Sequence, residues 1–281
     1  MKKILFPTDF SEAANHAFIY ALRIAKKLKA EIITLHVYER PDVKALHLPH
    51  TLAEVYESID LETFEDFRDA VPALHKIAEA NGLSGVNFSN AIQEGEIVPT
   101  IIRFARKNDV DMIIMGTKGA GWLKEIFIGS VAGEVLENAP CPVLAIPTDA
   151  HFDGRIDKIA ITTNFEESEK IALLKLVDWA TAFDARVYCV HVDTSHTENL
   201  THKMDALRQE FAGVKNLQFI NLDDTDLMKA LSEFVEKERI DMLAMLTRKR
   251  GFFEELLHYS KVKSMSYHTN IPILSIQTHL L

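Results

Sequence analysis

Residues 109–147, DVDMIIMGTKGAGWLKEIFIGSVAGEVLENAPCPVLAIP, decide the fold of this chain. They read as a short apolar strand over Val110–Met115, a loop punctuated by glycine, an amphipathic helix from about Ser130, and a second strand over Val143–Ile146. Within this stretch the small residues fall as Gly116-x2-Gly119-x9-Gly129-Ser130. Gly116 stands where a strand ends, and permits positive φ or close approach of a ligand to bare backbone. Gly129 and Ser130 stand where a helix begins, with free N–H groups and the positive end of the helix dipole. Together they are expected to form an anion cradle, and a phosphate chain is the anion that suits it best.

Outward from this stretch, strands and helices alternate. KILFPTD (Lys3–Asp9) reads as a buried strand ending in a polar turn, and Ser11 as the cap of a helix running to about Lys29. Ala14, Phe18, Ala21, Ile24 and Ala25 mark the buried stripe of that helix. EIITLHVYE (Glu31–Glu39) is the second strand, followed by a charged, mostly helical region from about Pro41 to Asn81. A strand over Val86–Gly95 and a helix over Ile97–Lys107 lead back to the opening stretch. Alternation of this kind means βαβ units and a parallel sheet.

The chain then repeats itself. KIAITTNFEES, from Lys158, matches KILFPTDFSEA, from Lys3, at an offset of 155, which also carries His36-Val37 onto His191-Val192. From the fourth strand the offset is 130, carrying Asp111-Met112 onto Asp241-Met242 and Ser130 onto Ser260. The first copy therefore holds 25 extra residues between Tyr38 and Asp109, most naturally in the charged Glu39–Asp69 stretch. The polar, turn-rich PTDAHFDGR (Pro147–Arg155) separates the copies. Two βα domains are expected, at residues 1–148 and 149–281.

Composition narrows the partners. A chain of 281 residues is long enough for two ordinary domains, and a formal charge of −10 argues against nucleic acid or an anionic membrane, which basic patches recognise. Cys141 and Cys189 are far apart in apolar strands, as expected of buried thiols in a reducing compartment. The opening MKKILFPTDF loses its apolar run at Pro7 and Asp9, too soon for a signal peptide, and no stretch reaches membrane-span length. A cytoplasmic protein is expected.

The glycine pattern is neither G-x-x-x-x-G-K-[ST] nor a G-x-G-x-x-G after the first strand. It resembles the nucleotide motif of the universal stress protein family, G-x2-G-x9-G-[ST]. Val131-Ala132 after it, and Ala139-x-Cys141-Pro142-Val143-Leu144 before the last strand, also fit the family pattern. The competing reading is a strand–loop–helix turn with incidental glycines. The resemblance implies two tandem doubly wound, flavodoxin- or Rossmann-like domains, each a five-stranded parallel sheet ordered 3-2-1-4-5, forming a pseudo-dimer through their last strands.

The same resemblance implies a ligand: ATP, with Mg²⁺ as its companion ion. Strands 1 and 4 would flank the crevice where strand order reverses. Asp9 would face the Gly116 loop there, accepting bonds from ribose hydroxyls or helping to hold a phosphate-bound Mg²⁺. Val37 would give its backbone to the adenine edge. Pro7, Thr8, Met115, Val131 and Ala132 would line the rest of a site completed by Gly116, Gly119, Gly129 and Ser130. In the second copy Asp9 becomes Asn164, Gly116 becomes Leu246, Gly119 becomes Lys249 and Gly129 becomes Tyr259, with only Ser260 kept. One ATP per chain is therefore expected, in the first copy.

Phosphoryl transfer needs a positioned base, an acceptor site and cationic stabilisation, and the motif supplies a cradle and one carboxylate. A nucleotide-dependent stress-response module, at most a weak ATPase, is thus the expected function. An adenine-nucleotide hydrolase-like enzyme and a nucleotide-free scaffold are the alternatives. A further homodimer and an unknown protein partner stay open. His47-x2-His50 and His191-x-Asp193-x2-His196 have ligand-capable spacing without a supporting cysteine cluster, and no metal centre is expected. Lys118, Lys124 and the Arg248-Lys249-Arg250 run read as solvated loop residues.

Overall fold

The computed structural model of the chain describes residues 2–40, 52–117, 129–150, 154–194, 199–247 and 271–277. Its first half runs β1 (Lys3–Pro7), α1 (Glu12–Leu28), β2 (Glu31–Tyr38), α2 (Leu52–Ala80), β3 (Phe88–Glu94), α3 (Ile97–Lys107), β4 (Met112–Gly116), α4 (Ser130–Asn138) and β5 (Val143–Ile146). The second half runs β6 (Lys158–Thr162), α5 (Glu167–Thr181), β7 (Arg186–Asp193), α6 (Asn199–Glu210), β8 (Leu217–Asp223), α7 (Leu227–Glu238), β9 (Met242–Thr247) and β10 (Ile273–Gln277). All strands join one ten-stranded sheet ordered β3-β2-β1-β4-β5-β10-β9-β6-β7-β8. Read inward from either outer edge, the two halves carry the same order, 3-2-1-4-5 in each.

Every pairing is parallel except the central one, where β5 meets β10 antiparallel. The register there is Ala145 with Ile273, Leu144 with Leu274 and Val143 with Ser275. At the repeat offset of 130, Leu144 pairs with its own counterpart and the other two pairs exchange. A local two-fold axis therefore passes between the two leucines, the self-complementary arrangement of an isologous interface. Each half covers the apolar edge strand that the other would otherwise expose.

Alternation along the buried strands divides the core into two layers. Ile4, Phe6, Met112 and Ile114 face a layer with α1, α2, α5 and α6, through residues such as Phe18, Leu74, Leu173 and Leu207. Leu5, Ile113, Met115 and Val143 face the other, with α3, α4 and α7, through Ile101, Val135 and Leu231. The strands are apolar on both faces because both faces are covered. The α1 stripe lies as its spacing predicts: Phe18, Ala21, Ile24 and Ala25 are fully buried, and Ser11 Oγ accepts the Ala14 N–H at 3.2 Å to cap the helix.

The extra length of the first half lies in the β2–β3 crossover. Paired residues Ile32 and Phe88 are 56 positions apart, against 30 for their counterparts Val187 and Leu217. The longer crossover carries the 29-residue α2, with Pro72 inside it. Two strand ends differ from the sequence reading. β1 stops at Pro7, and Phe10, with φ 60° and its N–H donated to Thr8 Oγ1 at 3.0 Å, turns the chain around Asp9. β4 extends through Gly116, which stays in register with Ile146 instead of leaving the ladder.

Candidate functional site

The site begins where β1 and β4 part. They pair through Ile4–Met112 and Leu5–Ile113. Each continues alone against its outer neighbour, β1 along β2 to Pro7 and β4 along β5 to Gly116. Continuing the register two steps puts Pro7 level with Met115. Sequence order reverses between these strands, and in open α/β sheets ligands bind beyond the carboxyl ends of such a pair.

The turn after β1 is held from several directions. Thr8 is buried, its N–H donates to Leu35 O at 2.9 Å, and its carbonyl lies 2.9 Å from His36 Nδ1. Asp9 emerges at the surface, and its Oδ1 accepts the Ser11 N–H at 3.0 Å. Phe67 of α2 closes over this turn, stacking on His36 and meeting Phe10 edge-on. α2 is tied down further along: Tyr38 Oη–H donates to Asp60 Oδ1 at 3.1 Å, and Arg40 pairs with both Asp60 and Glu94. The Arg40 guanidinium holds the Asp60 carboxyl below its usual range, whereas burial and then the bond to Asp60 push the Tyr38 hydroxyl upward. The inserted crossover is thus fastened to the ends of β2 and β3 on the side from which a ligand would approach.

On the β4 side, Gly129 N–H donates to Thr117 O at 2.7 Å and closes the loop between them. A Cβ on Gly129 would meet that same oxygen at 3.1 Å, a tight contact that a side chain fits only if the Thr117 carbonyl shifts by a few tenths of an ångström. Gly129, with φ −60° and ψ 159°, is the N-cap of α4, and the helix starts at Ser130. The first intrahelical bond is Gly133 N–H to Gly129 O at 2.9 Å. The N–H groups of Ser130, Val131 and Ala132 precede it and have no intrahelical acceptor. Gly116 shows no positive φ; its bare backbone simply ends the strand. Val37, Met115, Val131 and Ala132, from β2, β4 and α4, all belong to the α3–α4 layer. Gly119, Lys118 and Lys124 lie outside the described residues.

The second half repeats the turn and changes its contents. Thr163, Phe165 and His191 reproduce the first turn: Phe165 has φ 66° and donates to Thr163 Oγ1 at 3.0 Å, and His191 Nδ1 lies 2.8 Å from Thr163 O. The difference is Glu169, which occupies the place of Ala14. Its buried carboxylate accepts Thr163 Oγ1–H and Asn164 N–H at 2.8 Å each and Glu166 N–H at 3.0 Å. Sequence reasoning passed over this residue, although an acidic side chain at the third position of a helix was a visible capping signal. Leu246, in the place of Gly116, packs into the α5 layer. Lys249, Tyr259 and Ser260 lie outside the described residues, as do His47, His50 and His196.

The remaining chemistry is quiet. Burial, aided by Asp111 and Glu169 respectively, pushes the Cys141 and Cys189 thiols up to about 12, so neither is a nucleophile near neutrality. Among the described residues, no helix is long and apolar enough to cross a membrane.

The sequence profile described as "Universal stress protein family" matches residues 1–147. The chain belongs to the universal stress protein family. Among universal stress proteins, MJ0531 of Methanocaldococcus jannaschii is 34% identical over 145 residues, covering 52% of this chain and 81% of that protein. MJ0577 of the same organism is 34% identical over 153 residues, covering 52% and 94%. Half of this chain thus accounts for most of each relative. A universal stress protein from Archaeoglobus fulgidus matches the fold across both halves, with a TM-score of 0.73 at 21% identity over 98% of this chain and 96% of that one.

Proposed function

We propose that this universal stress protein binds one ATP per chain, in a domain formed by residues 1–148, beyond the carboxyl ends of β1 and β4. The observation that supports the reading is the parting of β1 and β4 at the switch point, with Asp9 following one strand, the bare end of the other at Gly116, and N–H groups without an intrahelical acceptor at the start of α4. The α4 N–H groups and helix dipole suit the phosphates. Asp9, an exposed carboxylate, suits ribose hydroxyls or a phosphate-bound Mg²⁺, which would add cationic charge where the phosphates lie. Val37 offers backbone to the base, with Pro7, Thr8, Met115, Val131 and Ala132 around it. Residues 149–281 form a partner domain whose turn is filled by its own Glu169.

Nucleotide occupancy, rather than rapid turnover, is the output of such a site, since the motif supplies a cradle and one carboxylate, whereas phosphoryl transfer needs a base, an acceptor site and cationic stabilisation together. The protein acts in the cytoplasm as a stress-response module read by its nucleotide state. Isothermal titration with Mg·ATP tests this, with a stoichiometry near one expected. Gly129→Tyr, which places a side chain against Thr117 O, is expected to abolish binding. Two equivalent sites, or full affinity in that variant, would refute the reading.

A further inference from the structure

The seam between the halves contains two buried polar side chains that apolar packing does not explain. Ser275 and Gln277, on β10 of the second half, are both fully buried. They lie on the same face as Ile273, which belongs to the α3–α4 layer. Each reaches across the seam to one atom of the first half. Ser275 Oγ–H and Gln277 Nε2–H both donate to the carbonyl oxygen of Leu136, at 3.0 Å each.

That carbonyl needs them. Leu136 lies in the last turn of α4, where its helical donor would be the N–H of residue 140. Residue 140 is proline and has none. Ala139 N–H is spent on Val135 O at 3.0 Å. The C-terminal end of α4 is therefore capped in trans, by a strand from the other half of the chain. Among the described residues Gln277 Oε1 has no partner, so a buried glutamine is committed to this one bond.

The cap is one-sided. At the repeat offset of 130, Ser275 and Gln277 correspond to Ala145 and Pro147, neither of which has a side-chain donor. The strand that carries the polar pair is the one facing the helix that begins at the intact glycine motif. α4 is thus fixed at one end by the Gly129–Thr117 bond and at the other by the second half.

We infer that Ser275 and Gln277 are positioning residues for the nucleotide site of the first half, acting through α4. The Leu136 cap and the N–H groups of Ser130–Ala132 belong to one nine-residue helix, less than two turns apart. With the cap in place, those donors stand at a fixed distance from Asp9; without it, the helix is free to settle and they shift. The inference rests on the ATP reading above. It gives the second half a role in binding that its own filled turn does not supply.

The test uses the full chain carrying Ser275→Ala with Gln277→Met, which removes both donors and keeps the bulk. Titration with Mg·ATP well below the unfolding midpoint should show a dissociation constant raised about fivefold to tenfold, at unchanged stoichiometry. Ser275→Thr, which keeps the hydroxyl, should bind like the parent. A lowered midpoint with an unchanged dissociation constant would make the pair a structural cap only and overturn the inference. Should the double variant not fold, each single variant removes one donor and should give an intermediate loss of affinity; parental affinity in both overturns the inference. If the parent chain itself binds no Mg·ATP, the ATP reading fails first, and the two failures are told apart.

Discussion

Replacing Glu169 by alanine, the residue its counterpart position holds in the first half, should destabilise the second half measurably. The carboxylate accepts three bonds, from Thr163 Oγ1–H, Asn164 N–H and Glu166 N–H, at 2.8, 2.8 and 3.0 Å. Each bond to a charged acceptor is worth about 1.5–3 kcal/mol. They do not simply add, because Asn164 is exposed and water can serve its N–H, whereas Thr163 is 6% exposed and cannot be served. A net loss of roughly 2–4 kcal/mol follows, in line with a buried group left unsatisfied. At about 2–4 °C per kcal/mol for a cooperative unit of this size, that is a drop of about 4–16 °C in Tm. Glu169→Gln keeps an acceptor and should lose about half as much. Denaturant unfolding of both variants beside the parent measures this. A loss below about 0.5 kcal/mol in Glu169→Ala, within the ordinary range for surface substitutions, would refute the view that an internal carboxylate organises this turn.

Asp9→Asn should leave Tm nearly unchanged, since an asparagine Oδ1 still accepts the Ser11 N–H, while ATP affinity falls about tenfold for the loss of one charge-assisted bond; an unchanged dissociation constant would mean that Asp9 only shapes the turn. Expressed alone, residues 1–148 should self-associate through the uncovered β5, and sedimentation as a stable monomer at high concentration would count against the seam. Cys141 and Cys189, both with thiols raised to about 12 by burial, should resist a thiol reagent at pH 8 until the chain is unfolded. Rapid labelling of the native protein would contradict their burial.

Much of the architecture was legible because it rests on periodicity. Apolar strands, the α1 stripe and the offset between Lys3 and Lys158 are patterns in one dimension, and the pairing of the two last strands rests on the same repeat, whereas its Leu144–Leu274 register appears only in the structure. What escaped were contacts whose partners are backbone. Two of the bonds to Glu169 come from N–H groups that almost any sequence supplies, so only its own place in the first turn of α5 signals them. The carbonyl of Leu136 is invisible for the same reason, although Ser275 and Gln277 in the apolar run IPILSIQ, together with Pro140, were clues. Gly129 was read as a helix start open to an anion; its tighter constraint, the approach to Thr117 O, appears only in three dimensions. Asn164 stands in the place of Asp9, so the turn of the second half folds without an aspartate there. Glu169 shows that it does so with a carboxylate brought from elsewhere.

The pairing of Leu144 with Leu274 has a consequence for how such a seam can change. In a dimer of identical chains, any substitution beside the axis is made on both sides at once, so a donor suited to one helix must also fit its twin. Joining the two copies in one polypeptide removes that coupling. Ala145 can stay small while Ser275 becomes polar, and Pro147 can end a strand while Gln277 reaches across it. Covalent linkage thus turns a symmetric contact, able only to hold two equals together, into a directional one in which one half serves the other.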